Sequence, residues 1–317
     1  MTQHVVAHLQ RTIDDVLRPL LAGTDSVALL GFPNYANVGD SAIWLGTIAY
    51  LRSLGIARPR YVCDDATYRP ARLAKRIGAG TILLQGGGNL GDLWERHQLF
   101  RERVIDACRD SPVIQLPQSI HFQDRTALAR ARTVFDRHPN LTLLVRDRQS
   151  LAIARNEFRA RSVLCPDLAF WLGQLPRSHA SQDAVWLARS DEEAATAAQP
   201  PADCPITKVD WLTERAPQLA LARWLGRRAL LPSWTYEWLA RQRLQRGLRL
   251  LNAGRVVITD RLHGHILCLL LGIPHVLLDN SYGKLRSFYE TWTRECDLVR
   301  WCDDASNAMG LASELTK

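Results

Sequence analysis

VVITDRLHGHILCLLLGIPHVLLDN, running from Val256 to Asn280, sets Asp260, Arg261, His263 and His265 between two runs apolar enough to be buried. Val256 to Thr259 are β-branched and few, as in an interior parallel strand, whereas Ile266 to Leu271 is longer and mostly unbranched, which suits a helix. Gly272 and Pro274 stop that helix, and His275 to Leu278 form the next strand. Asp260 to Gly264 therefore sit at a strand's C-terminal end and a helix's N-terminus. Open α/β sheets place ligands there, and backbone N–H groups together with the helix dipole favour an anion. Arg261 and His263, two residues apart at such a junction, read as an anion-binding pair. The structural alternative is that either histidine is a core residue capped by carbonyls and that Arg261 simply pairs with Asp260.

Working outward, the 317-residue chain is long enough for two cores, and 47% hydrophobic with 23% charged residues is ordinary for a soluble globular protein. No run is long enough for a membrane span, and Met1 to Leu20 carries Asp14, Asp15 and Arg18 where a signal peptide needs an apolar core. A cytoplasmic protein is expected. The 7 cysteines show no CxxC spacing and no Cys/His cluster, which argues against a disulfide framework and a structural zinc. The net charge of +8 is almost all arginine, since Lys75, Lys208, Lys284 and Lys317 are the only lysines. Arginine suits bidentate contact with phosphate and carboxylate. Such a surface attracts an anionic substrate, an anionic lipid leaflet or nucleic acid, and composition does not rank them.

Thr2 to Leu21 has apolar residues at helical spacing and reads as an amphipathic helix ending near Pro19. Strands at Ser26 to Gly31, Tyr61 to Cys63, Thr81 to Leu84, Val113 to Leu116, Leu141 to Val145 and Ser162 to Leu164 then alternate with helices, which predicts a doubly wound parallel sheet. The texture changes near Leu175. Val185 to Leu187 restarts a strand, and Asp191 to Asp203 reads as a solvated loop. A long Arg- and Leu-rich segment then leads to Val256. Two domains follow, residues 1–175 and 176–317. The last segment opens with a helix carrying Phe288, Tyr289 and Trp292, placed to dock on the first domain.

Two loops and a set of further strand ends carry chemistry. Asn37-Val-Gly39-Asp40 joins strand to helix, and Asp40 is suited to take a proton from a hydroxyl, or to serve only as an N-cap. Gln85-Gly86-Gly87-Gly88-Asn89 ends a strand with three glycines that gain nothing unless the chain must approach something closely. It is neither a dinucleotide fingerprint nor a P-loop, and reads as a floor under a phosphate or sugar. Further strand ends carry Gln118-Ser119, Arg146-Asp147 with Ser150, and Pro166-Asp167. Taken singly, Arg146-Asp147 is a surface pair and Asp167 a turn residue. Their recurrence at successive strand ends is informative, because those ends share one crevice.

In this order, and with Asp260-Arg261-Leu262-His263, Gly272-x-Pro274 and Gly283-Lys284, the motifs resemble those of the polysaccharide pyruvyl transferase family, from about Leu29 to Tyr289. The resemblance implies two Rossmann-like doubly wound domains facing a central cleft, similar to GT-B glycosyltransferases. It implies transfer of pyruvate from phosphoenolpyruvate onto two hydroxyls of a sugar as a ketal, with no cofactor besides that donor. Arg146, Arg261 and His263 match positions that hold the donor, and Lys284 is a further cation for it. Asn37, Gly39, Gly87, Gly88, Asn89, Gln118 and Ser119 are expected to line the substrate site, with His263 and Asp40 as acid and base. No metal-ligand constellation is present. The expected partners are phosphoenolpyruvate and a sugar acceptor, lipid-linked at the inner face of the membrane if the basic surface serves it, and no nucleic acid. Ala180 to Arg255 carries no motif of the family. A GT-B enzyme using a nucleotide sugar is the nearest rival, and a non-catalytic binder of nucleic acid or an anionic surface is the rival from another class.

Overall fold

The computed structural model describes residues 2–195, 198–200, 206, 208–212, 219, 221, 224–225 and 234–316. Parts of the Arg- and Leu-rich segment and of the stretch to Asp203 lie outside the described residues. Among those described, the strands form a seven-stranded and a five-stranded sheet, with every pairing parallel. The first sheet holds β1 (Val27–Leu30), β2 (Tyr61–Cys63), β3 (Thr81–Leu84), β4 (Gly87–Gly91), β5 (Val113–His121), β6 (Leu141–Val145) and β7 (Arg161–Leu164). The second holds β8 (Gln182–Leu187), β9 (Lys208–Val209), β10 (Gly254–Thr259), β11 (His275–Leu277) and β12 (Val299–Trp301). β1, β3 and β6 are buried along their whole length, which is why they read as unbroken apolar runs rather than as alternation.

The strand orders are β2-β1-β3-β5-β6-β7 and β12-β11-β10-β8-β9. In both sheets the second strand lies to one side of the first and the third to the other. The winding therefore reverses between β1 and β3, and again between β8 and β10. Each reversal leaves a crevice at the C-terminal strand ends, where helices depart in opposite directions.

The helix Val38–Ser53 is buried on nearly every side and packs against the 3-10 turn Leu168–Leu172 and the helices Trp234–Asn252 and Leu262–Leu271. Two glycines allow this. A Cβ on Gly46 would lie 2.0 Å from the Leu168 carbonyl oxygen, and one on Gly247 would lie 2.3 Å from Val38 Cγ1. One apolar cluster runs from Leu29 and Leu83 through Trp44, Leu45 and Tyr236 to Leu187, Val257 and Leu267, so the facing sides of both sheets share a core. The outer sides have clusters of their own, around Ile82 and Phe135 on one sheet and Trp186 and Ile258 on the other. The N-terminal helix Thr2–Leu21 includes Pro19 and packs on Leu168–Leu172 and Leu262–Leu271, tying the second sheet's helix to the chain leaving the first.

The glycine run differs from its reading as a loop. Gly87–Gly91 is a strand, and it pairs with the far half of β5, which extends beyond Leu116 to His121. β5 pairs with β3 through Gln115 and with β4 from Gln118, and the β5–β6 register also slips between those residues. Pro117 lies at that slip; lacking an N–H, it cannot continue a ladder. The C-terminal segment joins both sheets. Trp292 Nε1 donates to the Arg146 carbonyl at 2.8 Å, and Ser287 Oγ donates to Asp147 Oδ1 at 3.1 Å. Among the described residues no helix is long and apolar enough to cross a membrane.

Candidate active site

The two crevices open into one cavity of about 320 Å³, within the range of small-molecule sites. Tyr35, Asn37 and Asp40 reach it from the end of β1, and Gly88, Asn89, Trp94 and His97 from beyond β3. Arg146 arrives from β6. The second sheet contributes Arg189, Asp191 and Glu193 after β8, Trp211 after β9, Arg261 and His263 after β10, and Lys284 after β11.

Asn37 is the N-cap of Val38–Ser53. Its Oδ1 accepts from Gly39 N at 3.0 Å while its Nδ2 donates to Asp40 Oδ2 at 2.9 Å. Tyr35 donates its hydroxyl to the same oxygen at 2.8 Å. Burial, and then the Asp40 charge, push the Tyr35 hydroxyl well above its ordinary pKa, so that proton stays with tyrosine. Gly39 itself does not line the cavity. A Cβ there would lie 2.2 Å from His263 Nδ1, so the glycine lets the first sheet's loop meet the second sheet's histidine.

Arg146 is 1% exposed and fully engaged on one side: Nη1 pairs with Asp167 Oδ2 at 2.7 Å, and Nε donates to Ser119 Oγ at 3.0 Å. Asp167 also faces His263 Nε2 at 3.3 Å and accepts from Ala169 N at 2.9 Å. Burial opposes a charge on Asp167, yet the His263 imidazole and Arg146 outweigh it and hold the carboxyl well below the usual range. Asp167 is thus more than the turn residue, and Arg146 more than the surface pair, that each reads as alone. Together they join the two sheets through one buried, ionised carboxylate.

Gly88 and Asn89 line the cavity; Gly87, Gln118 and Ser119 lie behind it. Gln118 accepts from Asn89 N at 3.1 Å and donates to Asn89 Oδ1 at 3.0 Å, while Ser119 orients Arg146. Arg101, which carried no signal in the sequence, donates to Asn89 Oδ1 at 2.7 Å and to Gln115 Oε1 at 2.6 Å from below. Burial pulls its pKa down to about 9.

Arg261 does not pair with Asp260. Its Nη2 reaches Asp210 Oδ2 at 2.7 Å and Asp191 Oδ2 at 3.4 Å, its guanidinium lies 5.8 Å from the Trp211 ring centre, and its Nε has no partner among the described residues. Asp260 turns inward, accepting from Arg189 N at 2.9 Å, and burial raises its pKa to about 6. The two histidines part company. His263 lines the cavity, whereas His265 is core, between His275 Nε2 at 2.7 Å and Thr293 Oγ1 at 2.9 Å.

The stretch from Asp191 is the main correction to the sequence reading. Glu193 is 3% exposed and holds Lys284 Nζ, Arg189 Nη1 at 3.0 Å and Trp94 Nε1 at 3.1 Å. Arg189 forks onto Asp191 at 2.8 and 3.0 Å. The Ala, Gln and Pro downstream give the stretch a solvated look, but Arg189 lies two residues beyond the apolar end of β8. The strand-end rule that located Arg261 locates Arg189 and Glu193 as well. Among the described residues no group of three or more His, Cys, Asp or Glu is placed to hold a metal ion.

A model of the polysaccharide pyruvyl transferase family matches residues 37–282. The chain belongs to the polysaccharide pyruvyl transferase family. The match spans the cavity wall except Tyr35 and Lys284, which flank it. Among relatives, pyruvyl transferase 1 of Schizosaccharomyces pombe is 33% identical over 87% of this chain and 72% of its own length. EpsO of Bacillus subtilis, named as a candidate pyruvyl transferase, is 29% identical over 99% of each chain. The fold is shared with a crystal structure of a functionally uncharacterised protein from Klebsiella pneumoniae, at 20% identity and a TM-score of 0.60, covering 93% of this chain and 98% of that one. The α/β fold, the family and its transferase class therefore agree with the expectations from sequence.

Proposed function

We propose that the protein transfers the pyruvyl group of phosphoenolpyruvate onto two hydroxyls of one sugar, forming a ketal and releasing phosphate, in the synthesis of a cell-surface polysaccharide. The observation that carries this reading is the convergence of Arg146, Arg189, Arg261, Lys284 and His263 on one small cavity in a chain of this family. A donor with a carboxylate at one end and a phosphate at the other needs fixed cations on two sides, and guanidinium forks from different strand ends supply them. Arg261 Nε, which has no partner among the described residues, is a donor that such an anion would satisfy.

In this reading Asp40 takes the proton of the attacking hydroxyl. Its Oδ2 already receives two hydrogen bonds, which leaves Oδ1, beside Gly87, for that task. His263, oriented by Asp167, holds the departing phosphate or gives it a proton. Each role contributes about 10²–10⁴ in rate. This reading takes the two sheets as a GT-B-like pair around the cleft. A lipid-linked sugar at the inner leaflet suits the arginine-rich surface as acceptor.

Thermal-shift titration with phosphoenolpyruvate, UDP, GDP and phosphate, on wild type and Arg261→Ala, tests the reading. At a hundredfold excess over Kd, binding stabilises by about 2.7 kcal/mol. Selective stabilisation by phosphoenolpyruvate, lost in Arg261→Ala, is expected. Stabilisation by a nucleoside diphosphate alone would hand the chain to the nucleotide-sugar glycosyltransferases.

A further inference from the structure

Turning an enol ester into a ketal puts a proton on its methylene carbon, and neither Asp40 nor His263 has been given that task. We propose that Lys284 delivers this proton and that Glu193 is its positioning residue, an assignment that rests on the pyruvyl reading above. Lys284 Nζ and Arg146 Nη2 meet over Gly88: a Cβ there would lie 2.8 Å from the guanidinium and 3.2 Å from the ammonium, so the two tips are within about 6 Å of each other. An anion gripped by Arg146 therefore presents its neighbouring carbon to Lys284.

Other proton carriers on the wall are committed elsewhere. Arginine does not release its proton in a protein. Tyr35 donates to Asp40, His263 Nε2 faces Asp167, burial lowers the His97 pKa and so favours its neutral ring, and Asp191 and Glu193 are held ionised below their ordinary range by Arg189 and Lys284. Lys284 has three donors, of which one goes to Glu193. Burial pulls its pKa down to about 8 while Glu193 pushes the other way, so the ammonium persists at neutral pH yet is a stronger acid than a solvated lysine. Glu193 is itself fixed by Arg189 and Trp94.

In the step, the π pair of the methylene carbon takes a proton from Nζ and leaves a neutral amine. One sugar hydroxyl attacks the central carbon and passes its proton to Asp40. The bond from that carbon to the phosphate oxygen then breaks, its electron pair leaving with phosphate, which takes a proton from His263. The second hydroxyl closes the ring and returns its proton to the Lys284 amine, while the proton on Asp40 passes to His263 through solvent.

The test compares wild type, Lys284→Arg and Glu193→Gln with phosphoenolpyruvate and a panel of methyl hexopyranosides. It follows phosphate release against pH, product methyl deuteration in D2O, and thermal shift. Lys284→Arg should keep the phosphoenolpyruvate-induced shift and lose turnover a hundredfold or more. Wild type should lose rate above about pH 8, and in Glu193→Gln that fall should move to lower pH, because the ammonium loses the carboxylate that sustains it. Turnover in Lys284→Arg within tenfold of wild type, or an unmoved alkaline limb in Glu193→Gln, would overturn the lysine assignment alone. Wild type that neither binds nor consumes phosphoenolpyruvate would overturn the pyruvyl reading with it.

Discussion

Two glycines and one aspartate set the positions of the reactive side chains. Gly39 and Gly88 are placed where a methyl group would strike a functional residue, but with different consequences. A Cβ at Gly39 meets the His263 side chain at 2.2 to 2.6 Å, and that side chain is wedged between the two sheets. Gly39→Ala should therefore destabilise the fold by about 1–3 kcal/mol, as overpacking does, measured by urea unfolding. At Gly88 the struck atoms are side-chain tips, so Gly88→Ala should leave the urea midpoint nearly unchanged while weakening phosphoenolpyruvate binding tenfold or more in calorimetry. Asp167→Asn leaves buried Arg146 without its counter-charge and should lose about 3–5 kcal/mol of stability. The pH sign follows from its depressed pKa. The Asp167 contribution is complete above the unfolded value near 4 and fades as acid protonates the carboxyl.

At the scale of elements, the junction of β10 with the helix Leu262–Leu271 puts one histidine in the site and another in the core. His275 Nδ1 donates to the Ile273 carbonyl at 2.8 Å, so its Nε2 accepts from His265 Nδ1, and His265 Nε2 accepts from Thr293. This chain of bonds needs both rings neutral. Burial lowers the His275 pKa to about 4 and that of His265 well below its ordinary value. Because the unfolded chain takes up these protons near pH 6.5, stability should fall as pH drops from about 6.5 toward 4. The slope is up to about 1.4 kcal/mol per pH unit for each histidine. Chemical denaturation across that range checks it, and His275→Gln should shallow the slope. Sequence placed this helix within a few residues, because buried strand and buried helix differ in length and branching. It misjudged β4, whose five residues hold together only by borrowing the far half of β5.

For the whole molecule, the shared core between the sheets has a cooperative consequence. Trp44 lies on the first sheet's inner helix, and Leu187 and Val257 on the second sheet's inner side, yet all belong to one cluster. Urea unfolding followed by tryptophan fluorescence and by amide exchange should show one transition for both sheets. Gly46→Ala, which would press a methyl into the Leu168 carbonyl, should lower both together by about 1–3 kcal/mol. Two separated transitions would mean the sheets are independent folding units.

Local sequence was sufficient wherever a residue's neighbours along the chain decide its fate. The alternation of apolar strands and amphipathic helices gave parallel α/β architecture, and residues at strand ends gave Asn37, Asp40, Gly88, Asn89, Arg146, Arg261 and His263; the family resemblance added Lys284, and the fold brings all of them to one cavity. Tertiary structure decided what depends on a partner distant in sequence. It set Gln118 and Ser119 behind the wall rather than on it, joined Arg146 to His263 through Asp167, and drew Glu193 out of an apparently solvated stretch to meet Lys284, ninety-one residues away. Arg146 and Lys284 are buried together with their counter-charges, and that pairing is a property of the fold and not of the local sequence.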